Sequence, residues 1–416
     1  MSMMRIAGGR RLKGKVKVSG SKNAALPILA ATLLNGGVSV IENCPYLADV
    51  VAMIEILQYI GCKVEYDDHR AIIDSSGLNY WMLPDKLFKE LRSSIVLLGP
   101  MLARMGKARF TYPGGCDIGK RPIDLHLKGL KMLGADIGED DGHLICAANK
   151  LIGNHIILGY PSVGATENIM LAAVMAQGKT VITNAAREPE IWDLQCFINK
   201  MGGKVSGAGT SIITIEGVDR LHAVHHSIIP DRIVAGTYMA ASAITGGDIV
   251  LDNINAGHMA AIIDKYKDIG CDISSDGDSL HVKGPHRIYP VDITTLPYPG
   301  FPTDMQAITM AVLTKADGIS RIVETVFENR FRHVNDLIAM GADIMLCDKT
   351  AIIKGVQELK GVEVKAEDLR GGAALIVAAL AASGVTLIDD IYFVDRGYEG
   401  MCDVLNNLGA DVSIVS

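Results

Sequence analysis

The chain has 416 residues and a formal net charge of −7, with 49% hydrophobic and 21% charged residues, enough for a large core and far from a disordered composition. Aromatic residues make up only 5% while glycines number 44, which points to close backbone packing and many tight turns. The acidic balance argues against a dedicated nucleic-acid binder, and the longest apolar runs, such as Ala373–Ala382, fall short of the roughly 18 residues of a membrane span.

At the N-terminus, Arg5 to Lys22 holds seven basic residues and no acid, and the apolar stretch Ala24–Leu34 follows. The pair resembles the opening of an export signal, but the basic part is long, Pro27 interrupts the apolar part and no A-x-A site follows. Lys13, Lys15 and Lys17 alternate instead like one solvated face of a strand.

Further along, one phrase recurs: Leu57-Gln-Tyr-Ile-Gly-Cys-Lys-Val64, Leu130-Lys-Met-Leu-Gly-Ala-Asp-Ile137, Ile198-Asn-Lys-Met-Gly-Gly-Lys-Val205, Tyr266-Lys-Asp-Ile-Gly-Cys-Asp-Ile273, Leu337-Ile-Ala-Met-Gly-Ala-Asp-Ile344 and Leu405-Asn-Asn-Leu-Gly-Ala-Asp-Val412. Its glycines, 61, 134, 202, 270, 341 and 409, are 73, 68, 68, 71 and 68 residues apart, so six units of about 70 residues fill the chain. The phrase reads as an amphipathic helix ending on a left-handed glycine, then a strand, a polar turn and a second strand. About 40 residues before each glycine, an apolar helix starts behind a polar cluster: Ser21-Lys22-Asn23, Leu91-Arg92-Ser93-Ser94, Ser162 to Thr166, Pro230-Asp231-Arg232, Pro302-Thr303-Asp304 and Asp368-Leu369-Arg370. These helices are apolar nearly all round, which predicts burial on every side. Each unit therefore reads as strand, buried helix, strand, outer helix and hairpin, and Ala24–Leu34 is the first of six core helices.

Asp and Ser in these clusters fit ordinary N-caps. Lys22, Arg92, Arg232 and Arg370 do not, because a cation at a helix N-terminus is electrostatically unfavourable; they suggest that an anion completes the site. Cys116 lies in a loop with three Gly and two Pro within Tyr112–Pro122, followed by Lys120 and Arg121, which could lower its pKa or bind an anion beside it. The other seven cysteines read as small core or boundary residues; with no C-x-x-C or Cys/His cluster, reduced thiols and no metal are expected. Asp304 heads a buried helix as either a cap or a general base. Glu324 to Arg332 is charged beyond what a helix start needs, and Arg396 and Glu188-Pro-Glu190 stand in similar loops. Walker A, G-x-G-x-x-G, H-E-x-x-H and Ser-elbow motifs are absent from the sequence.

Gly20-Ser-Lys-Asn23, Pro113-Gly-Gly-Cys116, Ser162-Val-Gly-Ala165, Phe301-Pro-Thr-Asp304, Phe327-Glu-Asn-Arg330, Asp368-Leu-Arg370 and Asp395-Arg-Gly-Tyr398 stand in this order on the six-unit frame. Together they resemble the UDP-N-acetylglucosamine 1-carboxyvinyltransferases, of the EPSP synthase-like superfamily, over the whole chain to Ser416. The resemblance implies an α/β fold of two inside-out α/β barrels, three units each, with helices buried at the centre. Residues 22–228 would form one domain and residues 1–21 plus 229–416 the other, with the active site in the cleft between them. The implied reaction moves the enolpyruvyl group of phosphoenolpyruvate to the 3′-hydroxyl of UDP-N-acetylglucosamine, without metal or cofactor, at the first committed step of peptidoglycan synthesis in the cytoplasm. By the same resemblance Cys116 is the acid that protonates the methylene and the site of fosfomycin alkylation, and Asp304 is the base. Lys22, Arg121 and Arg396 hold phosphoenolpyruvate, and Asn23 contacts the sugar. Arg92, Arg330, Asp368 and Arg370 support closure and binding. Pro122, the Ser162-Val163-Gly164 loop and Val326 meet the nucleotide sugar.

One departure is Tyr160-Pro161, where relatives carry Lys before the Ser-Val-Gly loop, which removes a diphosphate cation. Retention of Cys116, which some members replace by Asp, implies fosfomycin sensitivity. Competing readings are a 5-enolpyruvylshikimate-3-phosphate synthase, which lacks the Pro-Gly-Gly-Cys loop, a non-catalytic nucleotide-sugar-binding homologue, and polyanion binding by Arg5–Lys22. The expected partners are the two small substrates, with no nucleic acid and no membrane; the sequence leaves the oligomeric state open.

Overall fold

The computed structural model describes residues 3–83, 85–112 and 123–415. Residues up to Ser19 and from Pro230 onward gather into one compact unit, and those between Gly20 and Ile229 into a second. Each unit has its own hydrophobic core. Among the described residues, no helix is long and apolar enough to cross a membrane.

The recurring glycines behave as their position demands. Gly61, Gly134, Gly202, Gly270, Gly341 and Gly409 all have φ between 92° and 108°, the left-handed region that ends an outer helix and turns the chain into the next strand. The strands that follow pair antiparallel as hairpins, for example Asp272–Asp276 with Ser279–Lys283 and Asp343–Cys347 with Thr350–Lys354.

The apolar helices are internal. In the unit from Gly20 to Ile229 they are Lys22–Ala31, Leu98–Met105 (continuing the 3-10 turn Arg92–Leu97) and Val163–Ala173. In the other they are Arg232–Thr245, Gln306–Leu313 (after the 3-10 turn Thr303–Met305) and Leu369–Leu380. Every residue of Gln306–Leu313 is buried, as is every residue of Leu369–Leu380 after the first. Three sheets form each unit's outer layer, and the helices within them make the core. Ser21, Ser162, Asp231 and Asp368 accept backbone N–H groups as N-caps of four of these helices.

Among the described residues, five of the six sheets are four-stranded, with a parallel strand beside the hairpin or its substitute. The second repeat departs from the expected pattern. Its opening strand shrinks to the single parallel bridge Met82–Arg109, carried by Arg109 N–H to Trp81 O (2.8 Å) and Leu83 N–H to Arg109 O (2.9 Å). A short helix, Asp85–Glu90, follows and drives Phe88 into the core, so this sheet keeps three strands. In the sixth repeat the second hairpin strand comes, among the described residues, from the N-terminal segment. Met3–Ala7 takes that place, between Val385–Asp389 and Asp411–Val415. Lys13–Lys17 pairs in parallel with Asp248–Asp252, and Val224–Ser227 with Val38–Glu42.

Sheet and inner helix are locked by a close approach repeated from unit to unit. A Cβ on Gly217 would lie 1.6 Å from Ala176 O, one on Gly355 1.6 Å from Ala316 O, and one on Gly284 2.2 Å from Ser242 O. Each glycine directly follows the second hairpin strand, and each carbonyl lies in the last turn of that repeat's inner helix or just beyond it. Gly217→Ala is expected to cost about 1–3 kcal/mol, as overpacking does, and to lower the thermal midpoint by several degrees. Gly37→Ala, where a Cβ meets nothing within 4 Å, is the control and should stay within a degree or two of wild type. Equal midpoints for the two variants would refute the locking role.

Candidate active site

In the unit from Gly20 to Ile229, three helix starts carry the predicted polar residues. Lys22, only 9% exposed, opens the first inner helix and bonds the Asp49 carboxylate at 2.9 Å. Asn23 follows it, partly exposed. Arg92 opens the 3-10 turn before the second inner helix. Ser162 caps the third, where its hydroxyl accepts from Ala165 N at 3.3 Å and Val163 and Gly164 form the first turn. Tyr160 precedes this loop and is exposed.

One residue at this loop carried no sequence signal. His126 is buried, and a Cβ on Gly164 would lie 3.0 Å from its Cε1 and 3.3 Å from its Nε2. Its tautomer follows from the hydrogen bonds. Gly99 N–H donates to Asn168 Oδ1 (2.6 Å), so the Asn168 amide nitrogen faces the other way and donates to Ile95 O and to His126 Nδ1 (3.0 Å). The ring proton is therefore on Nε2, toward the turn that holds Gly164. Burial, reinforced by Arg92, moves the imidazole from its ordinary 6.5 down to about 4. His126 stands on the helix Asp124–Met132. The Glu188-Pro-Glu190 segment comes beside Glu167 of the third inner helix, whose carboxyl is pushed well above the usual range by burial and then by Glu190 and Glu188.

In the unit from Pro230 onward, four predicted residues converge. Arg330 Nη2 donates to Asp304 Oδ1 at 2.6 Å, and Arg370 Nη2 donates to Asp304 Oδ2 at 3.1 Å. Both guanidiniums are almost wholly buried, whereas the Asp304 side chain keeps 27% of its surface exposed. Asp304 is thus not an N-cap: its carboxylate is clasped by two arginines. Arg370 Nη1 also donates to Tyr398 Oη (3.1 Å), which lies 2.9 Å from Thr237 Oγ1. Burial works against the Arg370 charge, but Tyr398, Asp304 and Asp231 outweigh it and raise its pKa. Asp368 Oδ1 accepts from Arg370 N and Gly371 N, capping the helix Leu369–Leu380. Arg396 ends the short helix Tyr392–Asp395, partly exposed.

Val326 is held by Glu324, a residue the sequence singled out only as surplus charge. Buried to 1% exposure, Glu324 accepts from Val326 N, Phe327 N, Thr295 Oγ1 and Thr303 Oγ1 at 2.8–3.1 Å. It fixes the loop before Arg330 to the turn that carries Asp304. Cys116, Lys120, Arg121 and Pro122 lie outside the described residues. The seven described cysteines are free thiols, and burial pushes Cys62, Cys146 and Cys271 up to about 12, away from nucleophilic thiolates. Among the described residues, no three His, Cys, Asp or Glu side chains gather as metal ligands.

The family model of EPSP synthase (3-phosphoshikimate 1-carboxyvinyltransferase) matches residues 6–405, so the class is that of the carboxyvinyl transferases. UDP-N-acetylglucosamine 1-carboxyvinyltransferase 2 of Caldanaerobacter subterraneus subsp. tengcongensis is 51% identical over 413 residues, 99% of each chain. Enzyme 1 of the same bacterium is 52% identical over 401 residues, 96% of each chain, so the sequence sides with neither copy. Among solved structures, the enolpyruvyl transferase NikO from Streptomyces tendae superposes with a TM-score of 0.91 at 25% identity, covering 99% of this chain and 98% of that one. The chain belongs to the EPSP synthase family and, within it, to the UDP-N-acetylglucosamine 1-carboxyvinyltransferases.

The buried imidazoles set an acid limit on stability. His333, like His126, is moved by burial from 6.5 to about 4. Between these values the unfolded chain binds a proton at each site that the folded chain refuses, so stability falls as pH drops through this window and is fully present above 6.5. Each histidine withdraws about 3 kcal/mol by pH 4. Thermal unfolding across pH 8 to 4 should show a midpoint flat above 6.5 and falling below it. His126→Phe should flatten part of the fall; a slope identical to wild type would clear His126 of this role.

Proposed function

We propose that the chain transfers the enolpyruvyl group of phosphoenolpyruvate to the 3′-hydroxyl of UDP-N-acetylglucosamine and releases phosphate, as a cytoplasmic enzyme of peptidoglycan synthesis. The observation that carries the reading is the partly exposed Asp304 carboxylate held between the buried Arg330 and Arg370 guanidiniums, on a chain half identical to the curated transferases over nearly its whole length.

In this reading the sugar hydroxyl adds to C2 of phosphoenolpyruvate and gives its proton to Asp304, while Cys116 delivers a proton to the C3 methylene. The product of addition is a tetrahedral phospho-ketal. Loss of a proton from the new methyl group and departure of phosphate then restore the vinyl group. Lys22, Arg121 and Arg396 stabilise the phosphate and carboxylate charges through both steps. Backbone N–H groups at Val163 and Gly164, the first turn of a helix, receive the diphosphate together with Ser162, and Asn23, Arg92, Pro122 and Val326 complete the nucleotide-sugar contacts. Arg330, Asp368 and Arg370 keep Asp304 aligned with the hydroxyl.

Phosphate release from phosphoenolpyruvate is the test, with UDP-N-acetylglucosamine or shikimate 3-phosphate as acceptor, before and after fosfomycin. Release with the nucleotide sugar alone, abolished by fosfomycin, is expected, and Cys116→Asp should release phosphate in the presence of the drug. Release only with shikimate 3-phosphate would overturn the acceptor. A folded protein that binds the nucleotide sugar without any release would instead be a binding homologue. Asp304→Ala is expected to lower kcat by about 10²–10⁴, the usual scale of a general base, and a variant with undiminished kcat removes Asp304 from the proton path.

A further inference from the structure

His333 lies directly before the short helix Val334–Ala339, where its carbonyl accepts from Leu337 N at 3.1 Å. It is 3% exposed, and neither ring nitrogen has a hydrogen-bond partner although both are fully enclosed. A buried polar side chain with both ring nitrogens unbonded is rare in a native fold and calls for a reason. The imidazole is placed among charges already met. The Arg330 guanidinium and the Asp368 carboxylate are the groups that act on it electrostatically. A Cβ on Gly371 would lie 3.2 Å from His333 Cβ and 3.0 Å from Asp368 Oδ2, so glycine at that helix turn leaves room for both side chains beside it.

The two neighbours have capacity to spare. Arg330 uses Nη2 on Asp304, while its Nε is enclosed without a partner. Asp368 receives two backbone N–H groups on Oδ1, and Oδ2 faces the Gly371 side. A neutral imidazole has one donor and one acceptor nitrogen. It can accept from Arg330 Nε–H and donate to Asp368 Oδ2, which gives a partner to both ring nitrogens and to Arg330 Nε. An imidazolium, with two donors, could not accept from the arginine.

We propose that His333 is a positioning residue of the transferase: its neutral ring links Arg330 to Asp368 when the nucleotide sugar binds, and so sets the orientation of Arg330 on Asp304. The proposal rests on the transferase reading above. Burial keeps the ring in the form it needs, since its pKa of about 4 leaves it neutral at physiological pH. The link would join the loop after Phe327 to the first turn of the helix Leu369–Leu380, two segments that already meet through Asp304.

Two variants separate positioning from packing. His333→Phe keeps a planar ring and removes both nitrogens, while His333→Gln keeps one donor and one acceptor. The Phe variant should hold the wild-type thermal midpoint at pH 7.5 and lose kcat about ten- to a hundredfold, the scale of a hydrogen bond to a charged group, with KM for UDP-N-acetylglucosamine changed less than about threefold. The Gln variant should recover most of the lost kcat. Wild-type kcat in the Phe variant overturns the proposal, as does a joint fall of kcat and thermal midpoint in both variants. Ring-nitrogen NMR of labelled wild-type protein supplies a readout that needs no turnover, with His333 assigned by its loss in the Phe variant. On adding UDP-N-acetylglucosamine alone, one nitrogen should become a hydrogen-bonded donor and the other a hydrogen-bonded acceptor; an unchanged spectrum refutes the link. If wild-type protein releases no phosphate, the transferase reading falls, while the nitrogen spectrum still decides on His333.

Discussion

A helix that is apolar on every side cannot lie on a wet surface, and the rest of this structure follows from that constraint. Gln306–Leu313 and Leu369–Leu380 have scarcely a residue that tolerates water, and each must be enclosed by its neighbours and by sheets. Once the helix sides are sealed, only the ends remain for polar groups. The sheets can do this because glycines such as Gly217 and Gly355 bring hairpin and helix backbone together without a side chain between them. The candidate site residues Lys22, Ser162, Asp304 and Arg370 accordingly stand at helix starts.

The cations at those starts, Lys22 and Arg370, run against helix electrostatics, which favours anions at an N-terminus. The structure answers with carboxylates drawn from neighbouring elements: Asp49 for Lys22, and Asp304 for both Arg330 and Arg370. Burying two guanidiniums is costly unless they are bonded; the carboxylate is shared by both, Tyr398 adds a bond to Arg370, and Arg330 Nε is left without one. The same arrangement holds Asp304 in a fixed direction while leaving part of its surface open, as the base role proposed above requires.

Much of this was legible in the sequence because repetition amplifies weak signals. A single glycine after an apolar helix says little, but six at near-constant spacing mark six helix ends, and all six have left-handed φ. The inner helices were legible through their lack of any polar face. Irregular repeats were not. Nothing in the pattern separates a five-residue strand from the one-residue bridge at Met82, because alternation needs length to be seen. Nor does the pattern show that the last hairpin borrows Met3–Ala7, since a partner 406 residues away leaves no local trace. At the site, the sequence named Asp304, Arg330, Asp368 and Arg370 but left cap and base open for Asp304; the two arginine contacts set the cap aside, and the base is a proposal. His126, Glu324 and His333 act through burial, and burial of a single polar residue has no period to betray it.

The early strands have a history in time as well as in space. Met3–Ala7 and Lys13–Lys17 leave the ribosome long before their partners, Asp248–Asp252, Val385–Asp389 and Asp411–Val415. At about 5–20 residues per second, the wait between Ile6 and Val412 is about 20–80 s. Through that interval two β-prone segments stand unpaired beside a unit, residues 20–229, that can already be folding. Lysines and arginines are what natural sheets place on an open edge to discourage stray pairing. The basic run from Arg5 to Lys22, so like the start of an export leader, is well suited to keeping a first-made strand unattached until the last-made one arrives.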